Sequence, residues 1–204
     1  MVRRYLYIAR HGETDWNSVG RWQGHTDIPL NDVGRAQART LGPLLSESNV
    51  ATIVSSDLSR AEETAAIVAR ALGIGPVRVD PALRERRYGV FEGLTRAECQ
   101  ERHPERFREW MVGSHVLPPG AESNGALAAR VVVAVRAVVD EFVAPGRAAL
   151  IVTHGGSLRA ILAETGTSDG LPIPNGALFR VECHGSALLP AVRIDIAERG
   201  PPGG

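Results

Sequence analysis

The chain contains no lysine: all 23 of its basic residues are arginine. A bias toward arginine codons accounts for the composition, yet the absence has chemical consequences. A phosphate loop of the Gly-Lys-Ser/Thr type is excluded, and so is any Schiff-base lysine, because both need the lysine amine. Anionic groups can be held only by Arg, His, hydroxyls, amides or backbone N–H. Cysteine is nearly absent. Cys99 and Cys183 form neither a Cys-x-x-Cys pair nor a zinc spacing, so a disulfide scaffold is not indicated.

An excess of one charge is missing too. The 23 basic residues balance 23 acidic ones, which argues against a non-specific nucleic-acid binder. Long apolar runs are also lacking. The N-terminal run Tyr5–Ala9 stops at Arg10-His11, too short for a signal-peptide core, and no window approaches the roughly 18 residues of a membrane span. The expectation is a soluble, cytoplasmic protein without membrane or nucleic-acid partners. Its 204 residues suffice for one domain, with 44% hydrophobic residues, too many for disorder.

Three apolar runs look like buried parallel strands: Tyr5–Ala9, Ala51–Ser55 and Ala149–Thr153, with a weaker one at Pro76–Asp80. Helical patterns alternate with them. Asn31 can cap a helix to Leu45 that Gly42-Pro43 would kink or shorten. Asp57 or Ser59 can start a second, Arg60 to Leu72, ended by Gly73. A third spans Gly125–Val143, and a fourth Leu158–Glu164. The fold class is therefore α/β, a mostly parallel central sheet flanked by helices. Residues 84–121 are charged and carry aromatics, with short helices at Thr95–Arg102 and Pro104–Val112; they read as a lid insertion. Two last strands, in Gly176–Cys183 and Ala187–Asp195, suggest an antiparallel edge hairpin through which a homodimer could form. The expected organisation is a single domain, 1–197, and a disordered tail, 198–204.

Ligands of open α/β sheets bind beyond the carboxyl ends of the strands. The first strand ends in Arg10-His11-Gly12, the second runs into Ser56-Asp57-Leu58-Ser59-Arg60, and the third ends in Thr153-His154-Gly155-Gly156. Each residue alone has an ordinary explanation. A lone His is usually hydrogen-bonded structure, and the glycines could serve turns. Arg60 near a helix start opposes the helix dipole, an objection that an anionic partner removes. Their convergence on one sheet edge indicates a site. Arg presents a planar fork that matches phosphate oxygens, and a neutral His is a competent nucleophile toward phosphorus. The acid needed for the leaving oxygen is best supplied by Glu85, whose alternative is a surface carboxylate paired to Arg84, Arg86 or Arg87.

These blocks resemble the histidine phosphatase superfamily, the phosphoglycerate-mutase-like family. The similarity lies in "ARHGETDWN", "GRWQGHTDIPLNDVGRAQA" (Gly20–Ala38), "VSSDLSRAEETA" (Val54–Ala65), "LRERRYGVFEG" (Leu83–Gly93), "PPGAES" (Pro118–Ser123) and "VTHGG" (Val152–Gly156). The resemblance implies that His11 is the nucleophile and becomes phosphohistidine. It implies that Arg10, Arg60 and His154 clamp the phosphoryl oxygens, and that Glu85 protonates the departing alkoxide and then activates water. Asn17 and the Gly155 backbone would be further phosphate donors, while Gln23 and Gly24 would contact the phosphoryl group or the rest of the substrate. No metal and no other cofactor is implied.

Mutases of the family carry a longer insertion after the acid block and Thr-Gly-Trp in the second block. Here the block reads Trp22-Gln23-Gly24-His25, which resembles the phosphatase branch. The expected activity is a metal-independent phosphomonoesterase acting on a small phosphorylated metabolite. The alternatives are a cofactor-dependent phosphoglycerate mutase and a non-catalytic phosphate-binding or interaction module. A carboxylic-ester hydrolase is a further rival, since His154–Ser157 could mimic an oxyanion-hole loop, but the matching Gly-x-Ser-x-Gly nucleophile elbow is not expected in the chain. Substrate choice is expected to rest on Arg86, Arg87, Tyr88, Phe91, Trp110 and His115.

Overall fold

Leu6 and Ile8 of the first strand point to one face of the sheet, and Tyr7 and Ala9 to the other; all four are buried. An unbroken apolar run is what a strand covered on both faces requires. These relations come from a computed structural model that describes residues 3–113, 116–167, 170, 172–185 and 187–194. Among them a seven-stranded sheet is formed by β1 (Tyr5–Arg10), β2 (Val50–Ser55), β3 (Arg78–Val79), β4 (Ala148–Thr153), β5 (Leu178–His184), β6 (Ala187–Leu188) and β7 (Val192–Ile194). The order is β3-β2-β4-β1-β5-β6, with β7 on the other part of β5. Strands β1 to β4 are parallel, and β5 is the strand that runs against its neighbours.

The helices are α1 (Asp15–Ser18), α2 (Asp32–Leu45), α3 (Ser59–Leu72), α4 (Arg96–Arg102), α5 (Pro104–Met111), α6 (Asn124–Phe142) and α7 (Gly155–Glu164). Helices α2 and α3 cover one face, where Leu41, Leu45, Ala65 and Val68 meet Tyr7, Leu150 and Val152. Helices α6 and α7 cover the other, where Val131, Val135 and Leu158 meet Leu6, Ile8 and Ile151.

Several local expectations need correction. Pro43 lies inside α2, which nonetheless runs on to Leu45 although proline can donate no helical bond there. Helix α3 starts at Ser59, one of the two expected starts, rather than at Asp57; its N-cap, Leu58, makes no side-chain cap bond. Asp57 instead pairs with Arg84, and Ser59 Oγ donates to Asp27. Helix α7 starts three residues before the expected Leu158, with His154 at its N-cap. The weak strand shrinks to Arg78–Val79, and β5 lies inside the sheet beside β1, so only β6 and β7 form the edge on that side. The expected tail, 198–204, lies outside the described residues, as does His115.

Within 84–121, α4, α5 and a 3-10 turn (Gly89–Phe91) build a separate small core. Phe91, Cys99 and Phe107 are its buried centre, with Trp22, Tyr88, Leu94 and Trp110 packed around it. Its aromatic rings meet edge to face, as their quadrupoles favour.

Candidate active site

Register sets the site. Arg10 pairs with Thr153 and Ser55 with Val152, so three parallel strands end at one level. His11 and His154 leave the sheet side by side, their ring centroids 5.0 Å apart. Arg60, in the first turn of α3, reaches the same place and is completely buried. Arg60 and His11, with Arg10, Asn17, Gln23, Gly24 and Glu85, line a pocket of about 170 Å³, and the His154 ring lies against that of His11. Gly12 allows the turn after β1 to pass against α2, where a Cβ would overlap the Gly34 backbone.

The two imidazoles are held in opposite tautomers. His11 Nδ1 lies 2.6 Å from the Gly12 carbonyl, to which it must donate, leaving Nε2 with a free lone pair. His154 Nδ1 instead accepts from Arg60 Nε at 3.3 Å, so its proton sits on Nε2, which is buried without a partner. Burial pushes the His11 imidazole well below its usual range, and the Arg60 and Arg10 guanidiniums push it further in the same direction. His154 is lowered in the same way, by burial first and then by Arg60. Both rings are therefore neutral: one offers a lone pair, the other a proton.

The arginines are held by carbonyls, not by carboxylates. Arg60 donates to Gly24 O at 2.9 Å and Thr26 O at 3.0 Å. Burial lowers its pKa to about 10, so the charge is kept at neutral pH. Arg10 Nη1 donates to Ile173 O at 2.6 Å, and its Nε is buried without a partner. The charge of both thus remains available to an anion.

The remaining expected residues gather around this centre. Asn17 Oδ1 accepts from Thr14 N, Thr14 Oγ1 and Asn175 Nδ2, which leaves its NH₂ as the group for a ligand. Gln23 is buried with Oε1 unpartnered; a half-turn of the amide would present its NH₂ instead. Gly24 has φ +54°, and a Cβ there would overlap Glu92. Gly155 opens α7, where free N–H groups and the helix dipole favour an anion. Glu85 is 9% exposed and accepts from the N–H of Arg86 at 2.7 Å and of Gly156 at 3.0 Å. It is no surface carboxylate paired to a neighbouring arginine, because Arg84 binds Asp57 and Arg86 lies over the Trp110 ring.

Of the six residues expected to set substrate choice, Tyr88 lines the pocket and Phe91 is buried in the small core instead. Arg87 is exposed, and Trp110 packs against Trp22 and Tyr88. Ser157 Oγ donates to Arg84 O, so the oxyanion-hole reading loses that residue. Contrary to expectation, a Gly-x-Ser-x-Gly spacing does occur, Gly166 to Gly170, but it follows α7 rather than a strand, and Ser168 lies outside the described residues. Sequence reasoning did not single out Asn175, which donates to the carbonyls of His11 and Gly12, or Arg130, which holds the loop before Glu85. Asn175 stands in a Pro-rich turn without a motif, and Arg130 is one arginine among many.

Known proteins share the chain and its fold. The sequence profile of the histidine phosphatase superfamily (branch 1) matches residues 6–189. Phosphoglycerate mutase-like protein 4 of Arabidopsis thaliana is 38% identical over 159 residues, 76% of this chain and 68% of that protein. The 2,3-bisphosphoglycerate-dependent phosphoglycerate mutase 2 of Gloeobacter violaceus is 37% identical, covering 78% of this chain and 74% of its own. Glucosyl-3-phosphoglycerate phosphatase of Mycobacterium tuberculosis is 37% identical over 173 residues, 80% of this chain and 75% of that one. A mycobacterial glucosyl-3-phosphoglycerate phosphatase solved with VO₃ superposes with a TM-score of 0.77 and 31% identity, covering 93% of this chain and 97% of the other. With its strand-end histidines, its arginines and a profile match along nearly its whole length, this chain belongs to the histidine phosphatase superfamily, branch 1.

Proposed function

We propose that the protein is a phosphomonoesterase that hydrolyses a small phosphorylated metabolite through a phosphohistidine. The observation that carries this reading is the free lone pair on His11 Nε2, in a pocket lined by Arg10, Arg21 and Arg60 and by the carboxyl of Glu85. His11 Nε2 attacks phosphorus as the bond to the leaving oxygen breaks, and Glu85, protonated at that stage, gives its proton to that oxygen. The Gly12 carbonyl holds the Nδ1 proton and so supports the positive charge that the ring acquires. Arg10, Arg60 and His154 Nε2–H stabilise charge on the transferring oxygens. The Glu85 carboxylate then takes a proton from water, whose oxygen attacks phosphorus while the P–N bond breaks. Phosphate leaves and His11 is neutral again. Asn17, Gln23, Gly24 and the Gly155 N–H orient the group.

No step calls on a metal, since guanidinium and imidazole donors meet the charge. His11→Ala should abolish turnover of p-nitrophenyl phosphate, and rapidly quenched wild-type reactions should show an 80-dalton phosphoryl adduct on His11, about the mass of PO₃H. Unchanged turnover in the variant would reject the assignment. The Gloeobacter relative's name supports a mutase as the second reading. With 3-phosphoglycerate, hydrolysis predicts phosphate release faster than isomerisation, and the reverse order would make the protein a mutase.

A further inference from the structure

The segment that delivers Glu85 has no regular structure after the 3-10 turn Pro81–Leu83, so its backbone must be fixed from outside. Four successive carbonyls are each met by a side chain from elsewhere. Thr153 Oγ1 donates to Leu83 O at 2.8 Å, Ser157 Oγ to Arg84 O at 2.7 Å, and His25 Nε2 to Glu85 O at 2.9 Å. Arg130 of α6 does more than any of these. Its Nη1 donates to Ala82 O and Arg84 O, each at 2.8 Å, and its Nη2 to Glu85 O at 2.8 Å. Its Nε and Nη2 also grip the two oxygens of Glu122 at 2.7 and 2.8 Å.

A guanidinium has five N–H donors, and all five are engaged. Glu122 ties the far side of the loop as well: its carbonyl accepts from Arg86 Nε at 2.8 Å, and its N–H donates to Arg87 O at 2.9 Å. The clamp therefore closes on both sides of Glu85, without touching the pocket.

We propose that Arg130, locked by Glu122, is the positioning residue for the proton donor of this enzyme. It rests on the reading of Glu85 as that donor. A mere stabiliser of the fold would, when removed, lower activity toward every substrate alike. A residue that aims the acid affects only reactions whose leaving group needs a proton. Alkyl phosphates leave as strongly basic alkoxides, whereas p-nitrophenolate leaves without help.

The test compares kcat/KM, which reports the phosphorylation step, for p-nitrophenyl phosphate and an alkyl phosphate such as glycerol phosphate. Wild type is set beside Glu85→Gln, Arg130→Met and Arg130→Lys. Removal of a general acid costs about 10²- to 10⁴-fold. Arg130→Met should lose at least tenfold on the alkyl ester while staying within threefold on p-nitrophenyl phosphate, the same pattern as Glu85→Gln. Lysine, a point donor without the fork, should not restore it. Inhibition by orthovanadate, which reads the phosphate cradle, should stay within threefold in the Arg130 and Glu122 variants. Should Arg130→Met fail to fold, Glu122→Gln, which breaks the lock from the other side, should give the same leaving-group pattern. If Glu85→Gln shows the pattern and the Arg130 and Glu122 variants lose equally on both esters, or on neither, the positioning role is overturned. If Glu85→Gln itself shows no such dependence, the acid assignment fails instead.

Discussion

Arg60 Nε donates to His154 Nδ1 at 3.3 Å, and this bond decides which ring nitrogen carries the proton. Five ångströms away, at the centroid of its ring, His11 carries its proton on the opposite nitrogen, on the Gly12 carbonyl. The same residue type thus presents a lone pair in one ring and an N–H in the other, with the backbone and one guanidinium choosing between the two.

Buried Arg10 Nε and His154 Nε2 lack partners, and a tetrahedral oxyanion would supply them. Orthovanadate at a hundred times its dissociation constant should add about 2.7 kcal/mol to stability, a rise of roughly 5–10 °C in Tm for a domain of this size. Arg60→Met should lose most of that shift in a thermal melt. An unchanged shift would place the anion elsewhere.

Acid should destabilise the fold earlier than carboxylate protonation alone would. The folded His11 and His154 stay neutral well below pH 6.5, their ordinary value, while the unfolded chain takes up protons there. Their contribution is present above pH 6.5 and is lost as pH falls toward the depressed folded values. The slope of unfolding free energy is about 1.4 kcal/mol per pH unit for each histidine. Half-buried His25, also lowered by burial, acts in the same direction. Urea titrations between pH 7.5 and 5 should show this slope, and His154→Asn should remove about 1.4 kcal/mol per unit from it. A variant with the wild-type slope would contradict the neutral assignment.

Gly155 and Gly156 should answer differently to alanine. At Gly156 a Cβ would overlap Glu85 Oε1, so the carboxylate must move; at Gly155 the nearest atom, Arg10 Nε, is 3.5 Å away, an ordinary contact. Alanine favours a helix by up to about 1 kcal/mol over glycine, so neither change should lower Tm much. Gly156→Ala should cost about tenfold or more in kcat/KM toward alkyl phosphates, and Gly155→Ala less than threefold. Equal losses would show that Glu85 does not depend on this close approach.

Much of this architecture was legible from the sequence because it follows from short-range pattern. The runs Tyr5–Ala9 and Ala149–Thr153 are apolar throughout, as strands with two covered faces must be, and Asn31 caps α2 as expected. His11, Arg60 and His154 stand out because they end strands or begin helices. What was not legible depends on distant partners. Asp57 reads as a possible helix start but binds Arg84, and His154 caps α7 by its backbone alone. The bonds from Arg130 to the carbonyls around Glu85 join residues 45 or more positions apart, a relation that no local window contains. Phe91 stands close to pocket-lining Tyr88 in the chain, and only packing shows that it points into its own cluster.

That cluster has one more consequence. The wall that borders the pocket through Trp22 and Tyr88 rests on Phe91, Cys99 and Phe107, not on the two layers that bury the sheet. Its foundations and those of the paired strand-end histidines are laid separately. On the proposed reading, the aromatic wall can therefore be redrawn for a new leaving group while His11 keeps its footing, which makes this stretch the natural place to begin altering substrate choice.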